Sequence, residues 1–289
     1  MRNGRPVRRT GWARLAPVRA LRECVQVVGV KNVMRKELSV EVYGLDELRL
    51  LDGPALIVAN HASHLDVAVL LSTLPAKRRR RTAVGVAADY FFDSWLRSSA
   101  SAIAFNTFST QRSGDVPAST AARLLANGWT VVIFPEGSRS RDGFVGPFRM
   151  DAAEIALACQ VPVIPVGILG TYAAMPRGSN WPVPGRPRVS VRYGPAIRPR
   201  PVETSADFTS RVFGAVKQLL AEDAASCGRP SAALLACLSP QHRAGGGSGS
   251  KATRQSKVVS PRTCRSGAAD ALRISCLDCA PSADDAPSK

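Results

Sequence analysis

The sequence predicts an α/β layer fold: a central sheet covered by helices, with a basic helix in front of it and an unstructured tail behind. Three observations carry this. Strand-like and helix-like runs alternate between residues 38 and 226, the pattern of a sheet with helices packed on it. The first 37 residues are dense in Arg and Lys on a helical apolar spacing. From residue 227 onward Gly, Ser, Ala, Pro and Arg dominate, a composition that cannot bury enough apolar surface to offset ordering entropy.

The segment 1–37 holds ten basic residues against Glu23 and Glu37, with Leu15, Val18, Leu21, Val25 and Val28 recurring every three or four positions. That period is helical. A basic helix with an apolar stripe suits either a membrane interface or a surface helix packed on a core. Strands are expected at 38–43, 55–59, 83–87, 130–134, 162–168 and 188–193. Helices are expected at 65–74, 116–127, 150–159 and 207–225. Three segments result: a basic amphipathic N-terminal segment (1–37), an α/β domain (38–226) and a low-complexity tail (227–289).

Net charge is +17, from 39 Lys and Arg against 22 Asp and Glu. Such a field favours anionic partners: lipid headgroups, phosphorylated substrates or an acidic carrier protein. Nucleic acid is not expected, because no recognised module and no regular aromatic–basic interleaving accompanies the charge. The unbroken run Lys77-Arg78-Arg79-Arg80-Arg81 reads as a solvated face or as a contact to anionic lipid or substrate phosphates. No apolar run reaches the roughly 20 residues of a bilayer span, and residues 1–37 lack the apolar core and cleavage site of a secretory signal. The expected place is the cytoplasm, peripherally at the inner face of the cell membrane. The seven Cys are odd in number and late in the chain, unlike a disulfide framework. Cys276 and Cys279 form one CxxC, which alone is half a zinc site, so no metal is expected.

Chemistry concentrates after the apolar strand 55–59, in Asn60-His61-Ala62-Ser63-His64-Leu65-Asp66. A strand end opening into a helix is where α/β folds present reactive side chains. Two of the chain's three His fall here, with an Asp beside them. An Asp that accepts from one ring nitrogen of a His fixes the tautomer and stabilises the imidazolium formed on proton uptake. A second block, Phe134-Pro135-Glu136-Gly137-Ser138-Arg139-Ser140, follows another strand. Gly137 permits close backbone approach, and backbone N–H groups with Arg139 make a cradle for phosphate.

Together these blocks resemble the glycerolipid acyltransferase family. Its first motif is His-x4-Asp, here His61 and Asp66. The FPEGSRS block resembles its third, with Ser138 where Thr is usual. Val161-Pro162-Val163-Ile164-Pro165-Val166 resembles its fourth. The likeness spans roughly residues 40–200. The second motif, Gly-x-x-Phe-x-x-Arg, is matched only loosely by Ala104 to Arg112: the Gly is missing and Phe108 to Arg112 is one residue too long. After motif three, relatives carry Phe-Lys/Arg-x-Gly where this chain has Phe148-Arg149-Met150-Asp151; Asp151 is then an expected N-cap for the helix at 150–159.

The resemblance implies a mixed sheet flanked by helices. It implies transfer of a fatty acyl group from acyl-CoA or acyl carrier protein to a lysophospholipid hydroxyl, foremost 1-acylglycerol-3-phosphate, giving phosphatidic acid. A glycolipid or other lysolipid acceptor, or a His–Asp thioesterase or transacylase, shares the same dyad. His61 is the expected base and Asp66 its partner. Arg112, Glu136, Gly137, Ser138 and Arg139 are the expected substrate-binding residues. His64 lies only two residues before Asp66 and is expected to pack or to support the dyad. No cofactor is implied beyond the acyl donor as co-substrate.

Overall fold

In a computed structural model of the chain, residues 11–87, 103–110 and 116–226 are described. The chain divides after Gln241, and everything described belongs to the first unit. The expected tail, Cys276 and Cys279, and Arg112 lie outside the described residues.

A 3-10 turn, Gly11–Arg14, leads into helix α1 (Ala16–Cys24), a π-helical stretch Val25–Val30 and helix α2 (Lys31–Glu37). Strand β1 (Ser39–Tyr43), α3 (Leu45–Leu50), β2 (Ala55–Ala59), α4 (Leu65–Thr73), the single turn α5 (Ala76–Arg79), β3 (Thr82–Ala87) and β4 (Thr107–Thr110) follow. Then come α6 (Val116–Ala126), β5 (Thr130–Ile133), α7 (Asp151–Cys159), β6 (Val163–Leu169), the short α8 (Thr171–Ala174), β7 (Arg188–Tyr193) and α9 (Ser205–Ser226).

The seven strands form one sheet in the order β1-β7-β6-β2-β5-β3-β4. Every neighbouring pair is parallel except β6 with β7. The sheet is therefore mixed, with β1 and β7 running against the other five. Central β2 is buried on both faces, so it reads as an unbroken apolar run rather than an alternating one. Ala55, Ile57 and Ala59 pack on one face with α4 and with Met34 and Leu48 of α2 and α3. Leu56 and Val58 pack on the other with Leu124 and Leu125 of α6, Ile155 of α7 and Phe208 of α9.

Local chemistry sets the helix ends. Trp129 N–H bonds to the Leu124 carbonyl and Gly128 N–H to the Leu125 carbonyl, with Gly128 at φ +75°; this Schellman turn hands α6 directly to β5. Helix α9 starts at Ser205, ahead of the expected 207, because Thr204 caps it: Asp207 N–H bonds to Thr204 Oγ1 at 3.1 Å, and that hydroxyl donates to Asp207 Oδ2 at 2.7 Å. Near its other end Asp223, almost fully buried, accepts from Ser190 Oγ and from Arg192 Nε at 3.0 Å, fastening α9 to β7.

Two expectations are corrected and a third is met in part. Strand β4 was not foreseen; it is a four-residue strand at the sheet edge, Thr-Phe-Ser-Thr, too short and polar to register as a run. Asp151 is the first residue of α7, not its cap: Met150 holds the cap position with no side-chain bond, and Asp151 pairs with Arg149 at 3.5 Å. A carboxylate in that first turn suits the helix dipole without capping. The basic run at 77–81 is divided: Lys77, Arg80 and Arg81 are exposed, as on a solvated face, while Arg78 and Arg79 turn into the fold. Arg78 bonds to the carbonyls of Gly53 and Leu51 and to Thr130 Oγ1, Arg79 is buried against the Leu74 carbonyl, and Arg80 grips both oxygens of Glu23 on α1.

The N-terminal helical segment docks in an unusual sense. Its buried members are Ala13, Arg22, Gln26 and, in α2, Met34, which joins the core with Val30 and Val33 packed beside it. Arg22 donates to the carbonyls of Ala13 and Ile103, and Gln26 Nε2 donates to the Ala104 carbonyl at 2.7 Å. Trp12, Leu15, Leu21, Val27 and Val28 are exposed, Leu21 at 53% and Val28 at 62%. Helix α1 thus faces the protein with polar groups and turns much of its apolar stripe outward, while α2 and the residue before it pack Met34, Val33 and Val30 on the core.

Candidate active site

The site forms where β2, β5 and β6 leave the sheet. These strands are parallel neighbours: Val58 lies across from Ile133 on one side and Pro165 on the other, so β2 and β5 end nearly level while β6 runs on beside them to Leu169. Their following loops therefore meet. Asn60 locks the first junction. Its side chain donates to the Ile168 carbonyl at 2.9 Å and accepts from Ile168 N–H at 2.8 Å, so β2 and β6 end in fixed relation.

His61 follows directly. Its Nδ1 lies 2.8 Å from Asp66 Oδ2. The same oxygen accepts from Ala62 N–H at 2.7 Å and Ser63 N–H at 2.8 Å. Asp66 is fully buried in the first turn of α4. A carboxylate only accepts, so the shared hydrogen sits on Nδ1 and Nε2 is left as the basic lone pair. The ring stacks on Phe134 at 4.5 Å between centroids, which fixes its plane.

The FPEGSRS loop straps this turn from the β5 side. Glu136 Oε1 accepts from His61 N–H at 2.7 Å, its Oε2 accepts from Gly146 N–H at 3.0 Å, and Ser140 N–H bonds to the His61 carbonyl at 2.9 Å. Gly137 sits at φ +73° with Arg149 packed so close that a Cβ would lie 3.2 Å from its Cδ, which accounts for glycine there. Ser138 is exposed and Arg139 half-buried. Burial pushes the Glu136 carboxyl up to about 7, against the two backbone bonds that pull it down. Sequence reasoning placed Glu136 as substrate-binding; the structure gives its two oxygens to backbone N–H groups of the neighbouring loops.

His64 occupies the cap position of α4. Burial first, then the Arg139 charge and His61, with a smaller part from Arg177, hold its pKa down at about 4 against Asp66, so the ring is neutral at neutral pH. The structure brings His61, Asp66, Glu136, Gly137, Ser138 and Arg139 into one neighbourhood. Phe134 and Asn60 were quoted in the sequence blocks without a role; their signal was position, Phe134 the last residue of an apolar run and Asn60 the first after one. Among the described residues, no group of three or more His, Cys, Asp or Glu is placed to hold a metal.

The family model described as Acyltransferase matches residues 39–169, the segment that carries both motif loops. Residues 39–169 form an acyltransferase domain. The crystal structure of the 1-acyl-sn-glycerophosphate (LPA) acyltransferase PlsC from Thermotoga maritima is similar to it, with a TM-score of 0.57 and 25% identity over 71% of this chain and 81% of that one. A chloroplastic 1-acyl-sn-glycerol-3-phosphate acyltransferase of Brassica napus is 34% identical over 141 residues, 48% of this chain and 40% of the relative. The mouse 1-acyl-sn-glycerol-3-phosphate acyltransferase alpha is 32% identical over 151 residues, 48% of each chain. The chain thus spans less than half the length of the Brassica napus and mouse relatives.

The Glu136 strap makes a pH prediction. Folding raises this carboxyl from 4.5 to about 7, so the folded state holds the proton more tightly than the unfolded one. Its contribution to stability is full below pH 4.5 and is lost as pH rises through about 7. In thermal unfolding followed against pH, the stability of wild type relative to Glu136→Gln should fall across that window. A difference that stays flat, or that grows with pH, would mean burial does not govern Glu136.

Proposed function

We propose that the protein transfers a fatty acyl group from an acyl thioester to the free hydroxyl of a lysophospholipid, foremost 1-acylglycerol-3-phosphate. The observation that carries this is the His61–Asp66 pair at 2.8 Å, set at the strand ends of an acyltransferase domain. The relatives named for 1-acyl-sn-glycerol-3-phosphate support the acceptor. The donor is coenzyme A or acyl carrier protein carrying the acyl chain as a thioester.

In the proposed reaction His61 Nε2 takes the proton of the acceptor hydroxyl as that oxygen attacks the thioester carbonyl. The tetrahedral intermediate collapses, the new ester C–O bond stays, the C–S bond breaks, and the leaving thiolate takes the proton back from His61. Asp66 offsets the imidazolium charge in between, and backbone amides meet the oxyanion. A thiol leaves readily, so a direct transfer needs no acyl-enzyme. Arg139, with Arg112 from the segment outside the described residues, is proposed to meet the acceptor's phosphate.

Purified protein assayed with labelled acyl-CoA and a panel of lysolipids tests this. His61→Ala should lower turnover by about two orders of magnitude or more, the usual effect of losing a general base, whereas His64→Ala should keep much of it. Hydrolysis without any acceptor would identify a thioesterase. An active His61→Ala beside a dead His64→Ala would contradict the base assignment.

The membrane contact is proposed from the N-terminal helix. Among the described residues no helix is long and apolar enough to cross a membrane. Yet the outward side chains of α1, its cap residue and the π-helical stretch include Leu15, Leu21, Val27 and Val28, with Arg19, Lys31 and Arg35 exposed among and after them. Burying these apolar groups in the headgroup boundary while the cations meet anionic lipid is the energetics of a peripheral helix. The cytoplasmic leaflet, which carries that negative charge, is the proposed face. Sedimentation with anionic vesicles should show binding that raised salt weakens, and Leu21→Asp with Val28→Asp should reduce it at least tenfold, each added charge being costly at the interface. Equal binding by that double variant would place the contact elsewhere.

A further inference from the structure

Two loops grip the His61–Asp66 turn from opposite sides, and each carries an arginine. On the β5 side, Ser140 N–H bonds to the His61 carbonyl at 2.9 Å, which seats Arg139 one residue away. On the β6 side, Ser63 Oγ donates to the Met175 carbonyl at 2.8 Å. Met175 is buried, and its N–H bonds to the Thr171 carbonyl at 2.9 Å. The loop beyond closes on itself through Ser179 N–H to the Pro176 carbonyl at 3.1 Å and Val183 N–H to the Ala174 carbonyl at 2.8 Å. Arg177 lies in that closed loop, two residues past the anchor, and is exposed. Both guanidinium groups act on the His64 ring, Arg139 more strongly than Arg177, and with burial they keep that ring uncharged.

The arrangement is a pair of arginines on anchored loops beside a neutral imidazole, within one turn of the proposed base. Arg177 belongs to none of the blocks that carry the family resemblance. The block that should supply an arginine for phosphate is the one this chain matches least, at Arg112. A phosphomonoester carries between one and two negative charges and three acceptor oxygens, more than one guanidinium fork satisfies.

We propose that Arg177 is a specificity-determining residue, closing with Arg139 a two-arginine grip on the phosphate of the acyl acceptor. This rests on the acceptor assignment made above. The loop is fastened at Met175, so the side chain alone is ordered on binding. Because Arg177 is exposed, its truncation leaves the core packing untouched. The phosphates of a coenzyme A donor share the same chemistry, and separate kinetics for donor and acceptor distinguish the two.

The test compares wild type, Arg177→Ala and Arg177→Lys on 1-acylglycerol-3-phosphate and on monoacylglycerol, each at saturating acyl-CoA and then with acyl-CoA varied. Arg177→Ala should raise the KM for the phosphorylated acceptor about tenfold with kcat within about twofold, as loss of uniform binding does. Its donor KM and its activity on monoacylglycerol should stay at the wild-type level. Arg177→Lys should fall between, since lysine keeps the charge and loses the fork. An unchanged acceptor KM in a wild type that prefers the phosphorylated acceptor overturns the grip alone. A selective rise in donor KM overturns it too, and gives Arg177 to the donor. Equal use of both acceptors by wild type overturns the acceptor assignment, and the grip with it.

Discussion

One carboxylate oxygen organises this site. Asp66 Oδ2 accepts from His61 Nδ1, Ala62 N–H and Ser63 N–H, all within 2.8 Å. A buried acceptor left without donors costs on the order of 1–3 kcal/mol, more when charged; the three donors on Oδ2 offset that cost and hold the turn from His61 to Asp66, while Oδ1 is buried with no hydrogen-bond partner among the described residues. The spacing of five residues follows from it: the carboxylate comes from the first turn of α4 and reaches back to the last residues before the helix. The two backbone donors belong to the same turn that presents the imidazole, so ring orientation and chain direction are fixed together. Position in the first turn adds a favourable helix-dipole term for negative charge.

The rest of the domain holds that turn still. Asn60 ties β2 to β6 through the Ile168 backbone, Glu136 and Ser140 tie the FPEGSRS loop to both sides of the His61 peptide, and Ser63 ties the turn to Met175. Each link runs to a main-chain group on at least one side, so the positions depend on strand ends more than on rotamers. Parallel β2 and β5 in adjacent places bring their ends together, and β6 runs on beside β2 far enough for Ile168 to meet Asn60. At the far edge a different device serves a different purpose. Glu41, Arg188, Arg192 and Asp223 form an ion-pair network that joins β1, β7 and α9. It stabilises the antiparallel margin and takes no part in the proposed chemistry.

What the sequence disclosed depended on how many faces of an element are buried. Strands β2, β5 and β6 are buried on both faces, so their apolar runs were plain, and the blocks that follow them were the ones the resemblance rested on. Strand β4 is an edge strand of four residues with a single large apolar side chain, Phe108; the run is too short and too polar for a period to show. The N-terminal stripe was read correctly as helical, but period alone cannot say whether an apolar face meets a core or a bilayer. Only the burial of Arg22 and Gln26, each bonded to a carbonyl of the 103–104 segment, reveals which side faces the protein. The basic run at 77–81 looked like a surface charge patch because composition carries no record of the carbonyls that Arg78 and Arg79 meet. Glu136 was placed at the site by its motif, yet its bracing bonds come from backbone groups, which no side-chain pattern encodes.

The central claim is that Asp66 holds His61 with the hydrogen on Nδ1 and the lone pair on Nε2. Imidazole nitrogen NMR of selectively labelled protein near neutral pH measures this directly, with Asp66→Asn for comparison. The account predicts that His61 in wild type carries its proton on Nδ1, with Nε2 bare, and that this preference is lost or reversed in Asp66→Asn. A wild-type His61 found with its proton on Nε2, or one whose tautomer is indifferent to Asp66→Asn, would contradict it.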